Sequence, residues 1–182
     1  ISVTGVQTCA LPILGPALLA WGAIGLLLAW AYSAPPLALM CRGLGELTVS
    51  LSWGLMVLGA DYVQRGALAP WTMSVALSYS LLIGNILLIN GVPDAQADAR
   101  VGKRTLAVRL GAARVAVVYG AWAGVSVAVL GWGAASGHLP TWCAWGVRSA
   151  PLSAWATWVL VLYARHQTPL RPRSEEHTSE LQ

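Results

Sequence analysis

Five apolar segments that carry almost no charge run through the sequence and restrict the folds open to it. Only 10% of all residues are charged, against roughly 25% in soluble domains. A soluble helical bundle would carry charge along the outer face of each helix, whereas a membrane-spanning helix needs about 20 apolar residues. We therefore predict an all-α, polytopic transmembrane bundle with spans at residues 14–32, 47–60, 68–89, 115–135 and 142–163.

Two of these segments have boundaries that need comment. The second is short for a membrane span unless it begins near Leu44. The fifth is interrupted by Arg148 and Pro151, and we expect its regular helix to begin near Ala150. The loop at residues 91–114 is the longest polar connection between spans, and it has room for a short helix.

Positive charge is distributed unequally between the two sets of loops. Residues 61–67 and 136–149 would share one side of the membrane and hold only Arg65 and Arg148. The other side would hold eight basic residues: Arg42, Arg100, Lys103, Arg104, Arg109, Arg114, Arg165 and Arg171. Cytoplasmic loops are enriched in Lys and Arg. We therefore predict that the side with eight basic residues is the cytoplasmic side of a bacterial inner membrane.

The longest polar loop contains a regularly spaced pair of acids. Asp94 and Asp98 are four residues apart and would share one face of a helix, with Asn90 one turn earlier if Pro93 leaves that turn intact. Mg²⁺ is usually held by one or two carboxylates together with the phosphates of a substrate. The basic cluster that follows, which contains Lys103, could meet the remaining charge of a phosphate. This pattern suggests a site for a lipid diphosphate.

Simpler interpretations of the same residues stay open at this point. A bare pair of acids is commonly a solvated surface feature, and Lys103, Arg104 and Arg42 could be anchors at the lipid headgroups. Asn85 could bond a neighbouring helix. Glu46 lies at a helix start, where the macrodipole favours an acid, and we do not expect it to be catalytic.

Two stretches of the sequence carry a family resemblance. Residues 90–111 read N-x-x-P-D-x-x-x-D-x-x-x-G-K-R-T-L-x-V-R-L-G, which resembles the second Asp-rich motif of the UbiA superfamily of membrane prenyltransferases. The G-K-R-T-L part looks most like the branch of 1,4-dihydroxy-2-naphthoate prenyltransferases, which serve menaquinone biosynthesis. Residues 32–46 contain Y-S-x-P-P-L and then R-G-L-G-E, similar to the loop between the fourth and fifth helices of these enzymes.

The resemblance implies an activity and a site. Members of the family transfer a polyprenyl group from its diphosphate to an aromatic acceptor, and Mg²⁺ with basic residues stabilises the leaving group. For this chain the resemblance implies Mg²⁺ at Asp94 and Asp98. It also implies four residues that bind the diphosphate: Asn90, Lys103, Arg104 and Arg42. The expected partners are a polyprenyl diphosphate, an aromatic acceptor and the lipid bilayer, and no nucleic acid.

The sequence also departs from the family pattern. The family fold has nine transmembrane helices, and about five are predicted here. The family's other Asp-rich motif, of the form (N/D)-D-x-x-D-x-x-x-D, has no match, so we expect this chain alone to be inactive. Ala38 and Met40 stand where basic residues are frequent, and Gly91 stands where polar or acidic residues are common.

The two ends of the chain look unlike protein sequence. Residues 3–13 and residues 173–182 can each be translated back into DNA. With a suitable choice of codons, the second DNA string is the reverse complement of the first over almost its whole length. A sequencing adapter that is read in both orientations gives such a pair. We therefore predict that residues 1–13 and 173–182 are artefacts. Residues 14–172 would then be the C-terminal part of a membrane prenyltransferase domain.

Other functions also fit parts of the pattern. A relative could act on 4-hydroxybenzoate, homogentisate, haem or a (bacterio)chlorophyll precursor. A CDP-alcohol phosphotransferase also uses membrane Asp residues and Mg²⁺, but its Gly and Ala-Arg between closely spaced acids are not found. A small transporter or scaffold with incidental loop acids is the alternative that is not an enzyme.

Overall fold

The computed structural model describes residues 3–167, with side chains described for residues 17–166. Within this part the chain forms helices and turns and no strand, which confirms the all-α prediction. Short 3₁₀ helices cover Leu39–Cys41 and Thr141–Ser149. The five α-helices are α1 Val3–Ser33, α2 Gly45–Arg65, α3 Thr72–Arg100, α4 Leu106–Ala135 and α5 Ala150–Gln167.

Each helix packs against the next one along the chain, so that α3 contacts both α2 and α4. This order follows from the short connections, which favour antiparallel neighbours. The buried apolar core lies among α3, α4 and α5: Leu88, Val92, Ala107, Val115, Ala116 and Leu160. The centre of the bundle therefore fixes the position of α3, which carries the acid pair.

Two pairs of polar residues join α3 to α4 inside the bundle. The Ser78 hydroxyl donates to the Ser126 carbonyl over 3.2 Å, and the Ser126 hydroxyl donates to the Ser78 carbonyl over 3.1 Å. The Asn85 amide donates to the Tyr119 carbonyl over 3.1 Å, in agreement with the helix-bonding interpretation of Asn85. Small polar residues allow close approach of helices and form such bonds in membrane bundles.

The surface of the bundle is apolar along much of its length. Two helices, α3 and α4, are long and apolar enough to cross a membrane, with mean hydropathies of 1.8 and 1.7. A shorter apolar helical stretch covers Ala17–Ser33. Outward-facing side chains such as Leu26 (73% exposed) and Leu152 (70% exposed) are apolar, as expected of helices whose surface meets lipid rather than water.

The helix boundaries agree with the sequence at two points and differ at a third. The fifth helix begins at Ala150, as predicted, and the second begins at Gly45, two residues before the predicted span and next to the alternative start near Leu44. However, α3 continues past the end of the predicted span, through Pro93, to Arg100. Proline removes one backbone donor and normally ends or kinks a helix, so the sequence favoured a boundary that the structure does not have. The acid pair consequently lies in the last turns of α3.

The α3–α4 connection is also shorter than predicted. Only Val101–Thr105 separates the two helices. The short helix expected in this region is the first part of α4, because Gly111 has non-helical backbone angles (φ 73°, ψ 162°) and separates Leu106–Leu110 from the rest. The acidic end of α3 and the start of α4 therefore form one tight turn.

The prediction about the chain ends stays a prediction. Residues 173–182 lie outside the described residues. The backbone of α1 is helical from Val3, and a helical backbone does not bear on the origin of the codons.

Candidate functional site

The turn between α3 and α4 follows directly from the G-K-R-T-L sequence. The backbone N–H groups of Val101 and Lys103 both donate to the Asp98 carbonyl, over 3.2 and 3.0 Å. Gly102 has a φ of 77°, the left-handed conformation that glycine adopts at the C-terminal ends of helices. Thr105 caps α4, since its hydroxyl accepts from the Val108 N–H over 3.4 Å. This turn brings Lys103 back beside the last turns of α3.

Among the described residues, one carboxylate of the acid pair has an ion-pair partner and the other has none. Lys103 Nζ lies 3.4 Å from Asp98 Oδ1, and the two side chains are 39% and 20% exposed. Such a partly exposed pair stabilises a fold by at most about 1 kcal/mol. The side chains of Asp94 and Asn90 are exposed on the earlier turns of α3. Neither of these side chains forms a hydrogen bond or ion pair with the described residues.

The two stretches that carry the resemblance meet in space. The Arg104 backbone N–H donates to the Cys41 carbonyl over 2.9 Å. The Arg104 carbonyl accepts from Arg109 Nε over 3.2 Å. Gly43, with a φ of 74°, packs so closely that a Cβ atom would lie 2.8 Å from Arg109 Cδ and 3.0 Å from the Arg104 carbonyl oxygen. The loop before α2 is therefore docked on the α3–α4 turn.

Arg42 and Arg104, two of the residues predicted to bind the diphosphate, lie on the exposed side of this contact. Arg42 Nη2 donates to the Pro36 carbonyl over 2.6 Å. A guanidinium has five N–H donors, so this bond occupies only part of its capacity. Neither arginine contacts the acid pair directly, and their role as phosphate ligands stays a prediction.

A cavity of about 170 Å³ lies between the docked loop, α2 and α3. Asp98 and Lys103 line one part of it. The other lining residues come from the end of α1, the loop, the two helices and the cap of α4: Tyr32, Met40, Gly45, Glu46, Leu87, Gly91 and Thr105. Sequence reasoning did not foresee this cavity, because it forms only where the loop folds back over the turn.

Glu46 is the residue of this cavity that sequence reasoning undervalued. Its position in the first turn of α2 is as predicted, but it is only 6% exposed. Its carboxylate has no hydrogen-bond or ion-pair partner in the part of the chain that the structure describes. The R-G-L-G-E motif pointed to this position, and the favourable macrodipole supplied a sufficient structural explanation for an acid there.

The opposite end of the bundle has a carboxylate in a very different environment. Asp61 Oδ2 accepts from the Ala69 N–H over 2.8 Å and from the Thr72 hydroxyl over 2.6 Å. Asp61 Oδ1 lies 2.7 Å from Arg65 Nε, and the Arg65 guanidinium lies 5.0 Å from the centre of the Trp71 ring. The hydrogen bonds from Ala69 and Thr72, with Arg65 beside them, hold the pKa of Asp61 below its usual value.

The acid pair offers a metal ion two carboxylates from the same helix face. In residues 17–166, no group of three or more His, Cys, Asp or Glu residues is close enough together to hold a metal. Asp94 and Asp98, however, supply two carboxylates one helical turn apart. That is the number of carboxylates Mg²⁺ commonly takes from a protein when substrate phosphates and water complete its shell. The pair therefore fits a Mg²⁺ ion that arrives with a diphosphate.

Comparisons with known proteins agree with the resemblance in the sequence. The chain is 37% identical to a 1,4-dihydroxy-2-naphthoate octaprenyltransferase of Mycobacterium tuberculosis over 57% of the chain and 36% of that protein. It is 40% identical to the Escherichia coli protein of that name over 38% of the chain and 23% of the relative. A UbiA prenyltransferase domain-containing protein 1 of Dictyostelium discoideum is 34% identical over 50% of the chain and 28% of its own length.

The chain spans between 23% and 41% of the length of the curated relatives that it matches. No solved structure matches it significantly. The model of the UbiA prenyltransferase family, in contrast, matches residues 1–173. Since this match covers nearly the whole chain, including both stretches that meet at the cavity, the chain belongs to the UbiA prenyltransferase family.

Proposed function

We propose that the full-length protein transfers a polyprenyl group from its diphosphate to an aromatic acceptor, in a Mg²⁺-dependent reaction of quinone biosynthesis. The observation that carries this proposal is the acid pair of α3 beside Lys103 at one end of an apolar bundle, in a chain of this family. The names of the relatives favour 1,4-dihydroxy-2-naphthoate as the acceptor.

The acid pair and the basic residues have separate tasks in this proposal. Asp94 and Asp98 would hold Mg²⁺, which would supply positive charge to the bound diphosphate. Lys103 and Arg104 neutralise charge that develops on the leaving oxygen, and interactions that strengthen in the transition state accelerate the reaction. The Lys103 ammonium can move from Asp98 to a phosphate oxygen with little loss, because its partly exposed ion pair is weak.

The remaining predicted residues orient the diphosphate. Asn90 lies two turns before Asp98 on α3, and its amide can donate to a phosphate oxygen. Arg42 approaches from the docked loop with its unused N–H donors. During transfer the bond between the allylic carbon and the diphosphate oxygen breaks, and its electrons leave with that oxygen. A ring carbon of the acceptor supplies the electron pair of the new bond, and the ring then loses a proton, which the departing pyrophosphate can accept, so that aromaticity is restored. The apolar helices keep water from the reacting carbon.

The proposed location is a bacterial inner membrane, with the acid pair on the cytoplasmic side. The asymmetry of positive charge between the two sets of loops supports this orientation. The same end of the bundle would have to receive a charged diphosphate from the aqueous phase. A bilayer and a lipid diphosphate are therefore the expected partners.

The test is a transfer assay with the purified full-length protein in lipid nanodiscs. A polyprenyl diphosphate and Mg²⁺ are supplied with 1,4-dihydroxy-2-naphthoate or, in parallel, 4-hydroxybenzoate or homogentisate. We expect a prenylated product with the naphthoate, and loss of that product when the metal is removed with a chelator. Product with another acceptor alone would change the proposed acceptor, and no product with any of them would refute prenyl transfer.

A further inference from the structure

Glu46 is a largely buried acid that lines the cavity between the docked loop, α2 and α3. Glu46 is only 6% exposed, and it forms no hydrogen bond or ion pair with the described residues. The buried side-chain oxygens without a partner in the described residues are Ser50 Oγ and Asn85 Oδ1, so the Glu46 carboxylate oxygens instead open onto the cavity. Hydrogen bonds to this carboxylate must therefore come from water or from a ligand in the cavity.

The walls of the cavity indicate what kind of ligand could supply that donor. Tyr32 presents an aromatic ring, and Met40 and Leu87 present apolar side chains. The wall of the cavity at Gly45 is tightly packed. A Cβ atom at this position would lie 3.1 Å from Met40 Cα and 3.5 Å from Tyr32 Cε2. Aromatic rings and thioethers form favourable contacts with flat aromatic ligands. The cavity is therefore suited to a flat ring with a hydrogen-bond donor at its edge.

Charge separates this cavity from the proposed diphosphate position. A phosphate oxygen next to the Glu46 carboxylate would be repelled, and the repulsion is stronger in a site removed from water. Arg104 in the turn and Asp94 on α3 are both exposed, and neither lines the cavity. Asp98 and Lys103 lie at the boundary, since they line the cavity and also belong to the acidic and basic cluster.

We propose that this cavity binds the hydroxylated ring of the prenyl acceptor and that Glu46 accepts a hydrogen bond from a ring hydroxyl. The inference rests on the proposed function and adds the position of the acceptor to it. A ring bound against Glu46 lies in the same cavity as Asp98, beside the proposed diphosphate site. Glu46 is thus a residue for acceptor binding and selectivity, and the acid pair is responsible for the diphosphate.

The test compares two probes that differ only in their hydrogen-bond donors. Binding of 1,4-dihydroxynaphthalene and 1,4-dimethoxynaphthalene to the full-length protein in nanodiscs is measured anaerobically, without diphosphate or metal. We expect wild-type protein to bind the dihydroxy probe about tenfold more tightly than the dimethoxy probe. In Glu46→Gln this preference should shrink, because a neutral acceptor forms a weaker bond. In Glu46→Met, which keeps the length of the side chain, it should disappear.

Asp61→Asn is the matched control, since it neutralises another carboxylate of α2 at the far end of the helix. It should keep the wild-type preference between the probes. An unchanged preference in Glu46→Met would overturn the inference, and so would an equal loss in Asp61→Asn. If Glu46→Met does not fold, the nearly isosteric Glu46→Gln still decides, because an undiminished preference in that variant contradicts the proposal.

A transfer assay separates this inference from the proposed function. In Glu46→Gln we expect the KM for the acceptor to rise several-fold, with the KM for the polyprenyl diphosphate little changed. A rise in the KM for the diphosphate alone would overturn the inference and assign Glu46 to the diphosphate site. Selective binding of the dihydroxy probe without any transfer in wild type would refute the proposed function and support the cavity assignment.

Discussion

The two ends of the bundle use carboxylates in opposite ways. At one end, Asp61 receives hydrogen bonds from Ala69 and Thr72 and an ion pair from Arg65, so that both of its oxygens are occupied. At the other end, Asp98 has one long contact with Lys103, and Asp94 has none with the described residues. Asp61 is therefore saturated by contacts within the fold, whereas the acid pair keeps oxygens available, as its proposed role as a metal ligand requires.

If the two ends differ in this way, substitutions in the acid pair should have the largest effect on activity. Replacing Asp94 or Asp98 by Ala should lower the rate of prenyl transfer by about a thousandfold or more, because the charge on the leaving group loses its counterion. The variants should still insert into the membrane, which can be measured by their amount in washed membranes and their thermal midpoint. Undiminished turnover in either variant would refute the metal role.

Lys103→Gln should separate a phosphate ligand from a lipid anchor. If Lys103 binds the diphosphate, the KM for the polyprenyl diphosphate should rise about tenfold, as expected for loss of a bond to a charged group. The free energy of unfolding should change by less than about 1 kcal/mol, since the exposed ion pair with Asp98 is weak. Arg114→Gln, in the first half of α4, is the matched control, and an equal rise in its KM would favour the anchor interpretation.

Asp61→Asn should show the reverse pattern. The substitution weakens the bonds to Ala69, Thr72 and Arg65 and should lower the thermal midpoint of the protein. The KM values for both substrates should stay close to wild type, because the site lies at the opposite end of α2. A selective loss of transfer at full stability would contradict the division between the two ends.

The smallest expected effect is the pH dependence of the stabilisation that Asp61 provides. The pKa of Asp61 lies below its usual value of 3.8 in the folded protein, so the stabilisation is complete above that usual value and is lost as the pH falls through the lowered pKa. The difference in thermal midpoint between wild type and Asp61→Asn should therefore be constant from roughly pH 5 to 8. It should shrink on acidification below about pH 4, and a difference that changed near neutral pH would implicate another group.

Much of the fold could be predicted from the sequence because hydrophobic length and local signals determine it. The start of α2 at Gly45 and the start of α5 at Ala150 both followed from local residues. The end of α3 did not, since the proline signal at Pro93 is local and the packing of that helix against α4 outweighs it. Tertiary contacts of this kind commonly override propensity.

The candidate site, like the fold, could be predicted from the sequence only in part. The residues of the acid pair and the basic cluster were visible as a pattern of spacing and charge. The cavity was not visible, because it depends on the loop before α2 folding onto a turn about 60 residues later in the chain. The burial of Glu46 depends on that contact too, so the local sequence explained its helix position and gave no sign of its surroundings.

The hydrogen bond between Arg104 and Cys41 has a consequence for how this protein can change over time. The bond joins a main-chain N–H to a main-chain carbonyl, and so it survives the replacement of either side chain by almost any other. Only proline at position 104 would delete the donor. This link between the loop before α2 and the α3–α4 turn is therefore independent of the Cys41 and Arg104 side chains. If the proposed function holds, Arg104 and its neighbours could be exchanged, and the preferred substrate changed, while this backbone link kept the loop in place.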